Sequence, residues 1–130
     1  MQLTIFTDYG LRALMFLRMH PGRLCSVREV ADHYKISYNH MVKVVHKLAQ
    51  LGYVESVKGK GGGIRLAKGA EKHGLGNIVC ALEPNMDIVE CFNDGSSACV
   101  LSRSCRLKHY IFDAKQAFIA TLNNYTLKDT

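Results

Sequence analysis

Apolar residues near the start of the chain recur every three or four positions, which is the spacing of one helix face. They predict an amphipathic helix that ends near Pro21 and Gly22, because proline and glycine commonly follow a helix end. The apolar positions are Phe6, Gly10, Ala13 and Leu17. The first element is therefore a helix with one face turned towards a core.

Two further helices follow, separated by a short turn. Ser26 and Glu29 have the spacing of a capping box, so a second helix begins here and ends around His33. Ser37 suits the N-cap of a third helix, and Gly52 suits its C-terminal stop. The apolar stripe of the third helix comprises Met41, Val44, Val45, Leu48 and Leu51. This arrangement predicts a helix-turn-helix over about residues 26–51.

The period of the pattern changes after Gly52. Residues 53–57 and 64–67 have strand patterns on either side of a glycine-rich loop. A β-hairpin directly after a helix-turn-helix is a wing, which we place over about residues 53–67. The loop does not match a phosphate-cradling enzyme loop: the Walker pattern is absent, and Ile64 stands where a dinucleotide-binding loop needs its third glycine.

The formal charge of +6 is concentrated in this region. Between Lys35 and Lys72 there are eight Lys or Arg residues and two acids, and the rest of the chain is neutral in sum. A basic block on a winged helix-turn-helix predicts binding to double-stranded DNA, with the third helix in the major groove. Asn and Ser can address base edges, while Lys and Tyr commonly contact phosphates. The candidate DNA-binding residues are Ser37, Tyr38, Asn39, His40, Lys43, Lys47, Lys58, Lys60 and Arg65.

Three of the five cysteines lie in a polar, turn-rich segment that follows a short helix predicted over residues 75–82. Cys91, Cys99 and Cys105 are separated by seven and five residues. Structural zinc sites usually bring their ligands in tighter pairs, so this spacing favours an iron–sulfur cluster. Spacing alone leaves zinc and a thiol switch open.

A fourth ligand is missing from this set of thiols. His109, His73, a carboxylate or a group from another subunit are candidates. Cys80 lies in an apolar run and is expected in the core, whereas Cys25 fits either role.

The pattern from Arg106 onward predicts one long helix that reaches Tyr125, followed by a tail, residues 126–130, that frays. Its apolar stripe comprises Leu107, Ile111, Ala114, Phe118, Leu122 and Tyr125. We expect this helix to form a homodimer interface, because reading the two half-sites of a palindromic operator needs two-fold symmetry.

The expected fold class is mainly α with a small β-hairpin wing. It divides into a winged helix-turn-helix domain over residues 1–82, a cysteine loop over 83–105 and a dimerisation helix over 106–125. We expect a soluble cytoplasmic protein without membrane contact, because neither a secretory signal nor a membrane-spanning run is found. No Ser/His/Asp or Cys/His arrangement can be placed, so we do not expect an enzyme.

Four separated motifs resemble those of the Rrf family of winged-helix regulators. They are the start Met-x-Leu-Thr-x-Phe-x-Asp-Tyr-Gly-Leu-Arg-Ala-Leu, the helix at 37–51, the glycines at 61–63 and the three-cysteine segment. Within that family the chain is most similar to the repressors that sense nitric oxide.

The resemblance implies a homodimer with a [4Fe–4S] cluster, in which Cys91, Cys99 and Cys105 are ligands. It also implies that Asp8, reaching across from the other subunit, is the fourth ligand, and that nitric oxide attacks the cluster so that DNA is released. An acid in the first turn of a helix has a simpler explanation as well, since it complements the helix dipole.

Two alternatives stay open at this stage. A related regulator of iron–sulfur assembly, with a [2Fe–2S] cluster, uses three cysteines and a histidine three residues after the last one. Here Lys108 occupies that position and His109 follows it. The second alternative is a small iron–sulfur or zinc protein for electron transfer or for a partner, which would leave the helix-turn-helix and the basic wing unexplained.

Overall fold

The computed structural model describes residues 1–93, 99–101 and 104–130. The chain order is α1 (Ile5–Met19), α2 (Val27–Tyr34), α3 (Tyr38–Gln50), β1 (Val54–Val57), β2 (Gly63–Leu66), α4 (Leu75–Leu82) and α5 (Arg106–Leu122), with 3₁₀ turns at Ala70–Lys72, Glu90–Phe92 and Leu127–Asp129. The predicted fold class, mainly α with one antiparallel hairpin, is confirmed.

Local side-chain capping sets the limits of the helix-turn-helix. The backbone N–H of Glu29 donates to Ser26 Oγ at 3.0 Å, and the Glu29 carboxylate accepts from the Ser26 N–H, so the capping box is complete. At the turn Lys35 adopts a left-handed conformation with φ of 55°. Ser37 Oγ then accepts from the N–H of His40 at 3.2 Å and starts α3. The sequence predicted both of these helix starts.

The core lies between α1, α2, α3, α4 and the base of the wing. Its largest fully buried side chains include Leu14, Val30, Met41, Val44 and Leu48. The apolar stripe of α3 thus faces inward, apart from the half-buried Leu51. One face of α3 is therefore fixed against the core, and the opposite face is left for other contacts.

The wing is joined to the start of α2 by a short extension of its sheet. Cys25 and Ile64 exchange backbone hydrogen bonds of 2.8 and 2.7 Å. Cys25 is 1% exposed, and burial raises the pKa of its thiol. A buried neutral thiol is an unsuitable metal ligand, so Cys25 belongs to the core.

Two expectations about the C-terminus are wrong. Helix α5 ends at Leu122 rather than Tyr125, and the segment after it is ordered against the domain. Leu127 is fully buried, and its N–H donates to the His73 carbonyl at 3.1 Å. Burial of this leucine, together with a capping box between Thr126 and Asp129, stabilises a terminus that was expected to fray.

The expectation for Cys80 is also wrong. Ile78, Val79 and Leu82 are the buried apolar side chains of α4, whereas Cys80 is only partly buried. The apolar run from Ile78 to Leu82 still has only one inward face when it is helical, and Cys80 lies beside that face.

The stripe predicted along α5 combines two different faces. The half-buried positions are Lys108, Ile111, Lys115, Ile119 and Leu122, and α5 packs against α4. Leu107, Ala114 and Phe118 are exposed instead. The α4–α5 contact is close because Gly76 has no Cβ where it meets the backbone of Ile119.

Candidate nucleic-acid interface and metal centre

The outward face of α3 carries most of the predicted DNA-binding side chains. Tyr38, Asn39, His40 and Lys43 are exposed, and Lys47 is half-buried. Their position follows from the caps and from the buried stripe on the opposite side of the helix. Ser37 has a structural task as well, because its hydroxyl oxygen caps α3.

The wing adds further cations next to this helix. Lys58 and Lys60 are exposed at its tip, where Gly59 and Gly61 have φ of 93° and 77° and so give the loop its tight path. Arg65 lies on β2, and its Nε donates to a Glu55 carboxylate oxygen at 3.0 Å across the hairpin. Arg65 is thus paired in the single chain, whereas neither tip lysine has an ion pair within the described parts of the chain.

The three cysteines of the predicted metal site lie on separate local structures. Cys91 is in the 3₁₀ turn at Glu90–Phe92, Cys99 is exposed, and Cys105 is the N-cap residue of α5. All three are free thiols. Residues 94–98 and 102–103 of the same segment lie outside the described residues.

In a single chain these three thiols do not lie close enough together to form a metal site. Over residues 1–93, 99–101 and 104–130, no three His, Cys, Asp or Glu side chains lie close enough to hold a metal ion. The chemistry of the donor set nevertheless fits an iron–sulfur cluster, because thiolates are its usual ligands and none of the three thiols is buried in the core.

The proposed fourth donor, Asp8, lies in the first turn of α1. Its carboxylate accepts from Arg12 Nε at 2.9 Å, and both side chains are about half exposed. The guanidinium of Arg12 also lies 5.9 Å from the centre of the Tyr34 ring. These groups line an open cavity of about 510 Å³, with Gln2, Leu3, Ile5, Tyr9, Lys35 and Ile36.

The two histidines considered as ligands have different surroundings. His109 lines an open cavity of about 370 Å³ beside the cysteine segment, with Phe92, Lys108, Phe112 and Lys115. His73 packs edge-on against the ring of Tyr53 at 5.1 Å, at the base of the wing. His109 therefore lies near the cysteine segment, because Phe92, which lines the same cavity, follows Cys91.

Three residues near these sites were missed by the sequence analysis. Arg12 was detectable, because it follows Asp8 at the i, i+4 spacing of a helical ion pair. Arg28 stacks on Tyr38, and Glu83 accepts hydrogen bonds from the N–H and hydroxyl of Thr4 at 2.7 and 3.1 Å. The last two contacts depend on tertiary structure, so no local spacing indicates them.

No helix in the part of the chain that the structure describes is long and apolar enough to cross a membrane.

The fold and the basic face define a winged helix-turn-helix protein, and comparison with known proteins identifies the family. The model of the Rrf2 family, described as "Iron-dependent Transcriptional regulator", matches residues 3–130. The chain belongs to this family and is a transcriptional regulator of the helix-turn-helix type.

Several relatives are similar along nearly the whole chain. The "HTH-type transcriptional regulator NsrR" of Shouchella clausii is 48% identical, over 99% of this chain and 87% of the relative. The protein of the same description from Bacillus subtilis is 46% identical, over 99% and 89%. Both identities were measured over 130 residues.

Two solved structures confirm the fold alone. CymR, the global cysteine regulator of B. subtilis, is similar with a TM-score of 0.76 and 22% identity, over 99% of this chain and 95% of that one. IscR of T. potens has a TM-score of 0.75 and 24% identity, over 99% and 85%.

Proposed function

We propose that the protein is a homodimeric repressor that binds a palindromic DNA operator and releases it in response to nitric oxide. The sensor is a [4Fe–4S] cluster held by Cys91, Cys99 and Cys105 of one subunit and by Asp8 of the partner subunit. The nearest alternative is a [2Fe–2S] regulator of the same family.

The observation that carries this proposal is the state of the cysteines. The thiols at 91, 99 and 105 are free and at least partly accessible, while Cys25 is sealed in the core. A cluster needs accessible thiols, so this exposure supports Cys91, Cys99 and Cys105 over Cys25, while the partly buried Cys80 is set apart only by its place on α4. When bound, the cluster supplies the iron that reacts with nitric oxide.

The surroundings of Asp8 would allow it to serve as a ligand to the partner subunit's cluster. Asp8 is half exposed in an open cavity, and Arg12 is its only ion-pair partner within the described residues. Helix α5 offers a large exposed apolar face on which two chains can join, with Leu107 and Tyr110 more than 60% exposed. Joining through α5 is the expected route by which Asp8 reaches the partner's cysteines.

The residues of this chain also provide a route from the sensor to DNA. Asp8 and Tyr9 are neighbours on α1, and the Tyr9 ring lies 6.2 Å from the ring of His40 on α3. Glu83, at the start of the cysteine segment, is hydrogen-bonded to Thr4 at the N-cap of the same α1. The cysteine segment is therefore in direct contact with α1, the helix that packs on α3. A rearrangement of that segment would act on α1 through this contact.

The test is an anaerobic preparation examined by visible absorption and native mass spectrometry during stepwise addition of nitric oxide, with DNA binding measured in parallel. We expect a dimer whose mass includes a [4Fe–4S] cluster, and loss of both cluster and DNA binding as nitric oxide is added. Cys99→Ser should abolish the normal cluster signal. Cys80→Ser is the matched control, because that partly buried thiol lies outside the proposed ligand set.

Other outcomes would contradict specific parts of the proposal. A mass that fits [2Fe–2S] would favour the alternative regulator, and retention of the cluster in Cys99→Ser would remove this ligand assignment. A colourless protein after attempted reconstitution would reject the cluster and direct attention to thiol chemistry. Binding that is weak and equal on all duplexes would favour the electron-transfer class.

A further inference from the structure

Arg28 and Tyr38 form a stacked pair where the two helices of the helix-turn-helix begin. Arg28 is the second residue of α2, and Tyr38 is the first residue of α3. The guanidinium carbon of Arg28 lies 4.3 Å from the centre of the Tyr38 ring. Both side chains are exposed, so the pair is an outward-facing feature rather than part of the core.

The electrostatic position of Arg28 is unfavourable in the single chain. The first turn of a helix carries partial positive charge from its free N–H groups, so a cation there is repelled. Arg12, Arg23 and Arg65 each have a carboxylate within 3.0 Å. Arg28 has no ion pair of this kind among the residues that the structure describes, and an anion from outside would remove the conflict.

Stacking leaves the donors of Arg28 available. A guanidinium that lies on an aromatic ring uses its flat face, and its N–H groups point outward around its edge. These donors match the oxygens of a phosphate. Tyr38 thus holds the guanidinium in place without occupying the donors.

The place of the pair in the fold indicates which phosphate it would meet. In a helix-turn-helix the first helix crosses the DNA backbone while the N-terminal end of the second enters the major groove. Arg28 is on the first of these helices, and Tyr38 is at the entering end of the second. The pair therefore lies where the backbone passes the rim of the groove.

We propose that Arg28 and Tyr38 form a clamp for one backbone phosphate of the DNA, with Tyr38 as a positioning residue for Arg28. The contact sets the register of α3 in the groove and reads no base. This inference rests on the DNA-binding part of the proposed function and is independent of the cluster and of nitric oxide.

The test measures DNA binding of the full chain by fluorescence anisotropy over a range of salt concentrations. The probes are a duplex selected by the wild-type chain from a random library and an unrelated duplex of equal length. We expect Arg28→Ala to weaken binding to the selected duplex about tenfold. We also expect it to lower the salt slope by about one for each bound protomer.

Further variants separate the clamp from a general effect of charge. Arg28→Lys keeps the charge but loses the planar stack, so it should retain most of the salt slope and lose affinity. Tyr38→Leu should weaken binding, and its effect should largely disappear in an Arg28→Ala background, since the two residues act as one unit. Lys128→Ala is the charge-matched control on the C-terminal turn and should bind as the wild type does.

Two results would overturn the clamp. One is a wild-type salt slope in Arg28→Ala, and the other is full additivity of the Arg28 and Tyr38 substitutions. If the wild type enriches no duplex from the library and does not bind the unrelated one, the clamp and the DNA-binding part of the proposed function both fail. If it binds DNA but does not respond to nitric oxide, only the sensing proposal fails.

Discussion

At the scale of single residues, one buried side chain holds the C-terminal segment on the domain. Leu127 is fully buried in the core cluster, and the turn that carries it contacts α1 and the turn at Ala70–Lys72. Arg18 Nε donates to the Thr130 hydroxyl at 3.1 Å on the same surface. The segment after α5 thereby covers the core beside α1. It is held by the burial of Leu127 and by the hydrogen bond of Thr130 to Arg18.

Truncation of that leucine tests how much the segment stabilises the fold. We expect Leu127→Ala to lower the free energy of unfolding by about 2–5 kcal/mol, because it removes buried methyl groups and leaves a cavity. Urea unfolding measures the change. Lys128→Ala, at the exposed neighbouring position, should stay within about 0.5 kcal/mol of the wild type. Equal stability of the two variants would show that the segment does not contribute to the core.

The same segment should also respond to acid. Asp129 accepts hydrogen bonds from the N–H and hydroxyl of Thr126 at 2.7 and 2.8 Å, and these bonds hold the pKa of its carboxyl below the usual 3.8. A lowered pKa means that the contribution is complete above about pH 5 and is lost as the pH falls through the folded-state pKa. The stability difference between wild type and Asp129→Asn should therefore be constant near neutral pH and shrink below about pH 4. A difference that grows on acidification would contradict this assignment.

At the scale of elements, the wing presents two different kinds of cation. Arg65 is paired with Glu55 across the hairpin, while Lys58 and Lys60 extend from the tip without such a partner among the described residues. An unpaired cation on a narrow glycine loop can approach a phosphate closely. The tip lysines should therefore supply affinity rather than sequence preference.

Replacing one tip lysine tests whether the wing tip supplies affinity rather than sequence preference. Lys60→Ala should weaken binding to selected and unrelated duplexes alike and lower the salt slope by about one per protomer, since one phosphate contact is lost. Asn39→Ala should instead reduce the preference for the selected duplex. Titrations of both duplexes at several salt concentrations measure the two effects. An unaltered slope in Lys60→Ala would exclude the wing tip from the interface.

Helix α5 carries four exposed large apolar side chains. Leu107, Tyr110, Phe112 and Phe118 are between 40% and 62% exposed. We expect Phe118→Glu to shift the protein towards monomer, because it puts a charge into the proposed dimer interface. Sedimentation velocity measures the shift, with Gln116→Glu as the control for added charge at an exposed polar position. A dimer of unchanged strength in Phe118→Glu would place the interface elsewhere.

The elements show what the sequence can and cannot predict. Ser26 and Ser37 act through neighbours three residues away, so the limits of the helix-turn-helix were predictable from local spacing. On α5 the periodicity was correct, but it could not tell which face α4 covers, so Ile111 and Phe118 were placed on one stripe. The contact of Arg28 with Tyr38 and the burial of Leu127 depend on chain packing that no local pattern records.

At the scale of the whole molecule, the proposed sensor needs two chains. In the proposed site, the three cysteines come from one chain and Asp8 comes from its partner. Asp8 is on α1, which packs against α3, and α3 carries the predicted base contacts. A ligand shared between subunits would therefore fix the relative positions of two DNA-reading surfaces, which an operator with two half-sites requires.

Subunit mixing can distinguish a shared site from a site within one chain. Asp8→Ala and Cys99→Ser should each have an altered cluster spectrum as separate homodimers. In a mixed dimer, the Asp8→Ala chain supplies three cysteines and its partner supplies Asp8, so one complete site forms only if the ligands come from different chains. Purification of the mixed dimer with two affinity tags, followed by anaerobic absorption and nitric oxide titration, measures the result. Recovery of the wild-type spectrum at one site per dimer is the expected outcome. An altered spectrum in the mixed dimer, with the Asp8→Ala and wild-type mixture as a control that does recover, would rule out sharing of Asp8 between subunits.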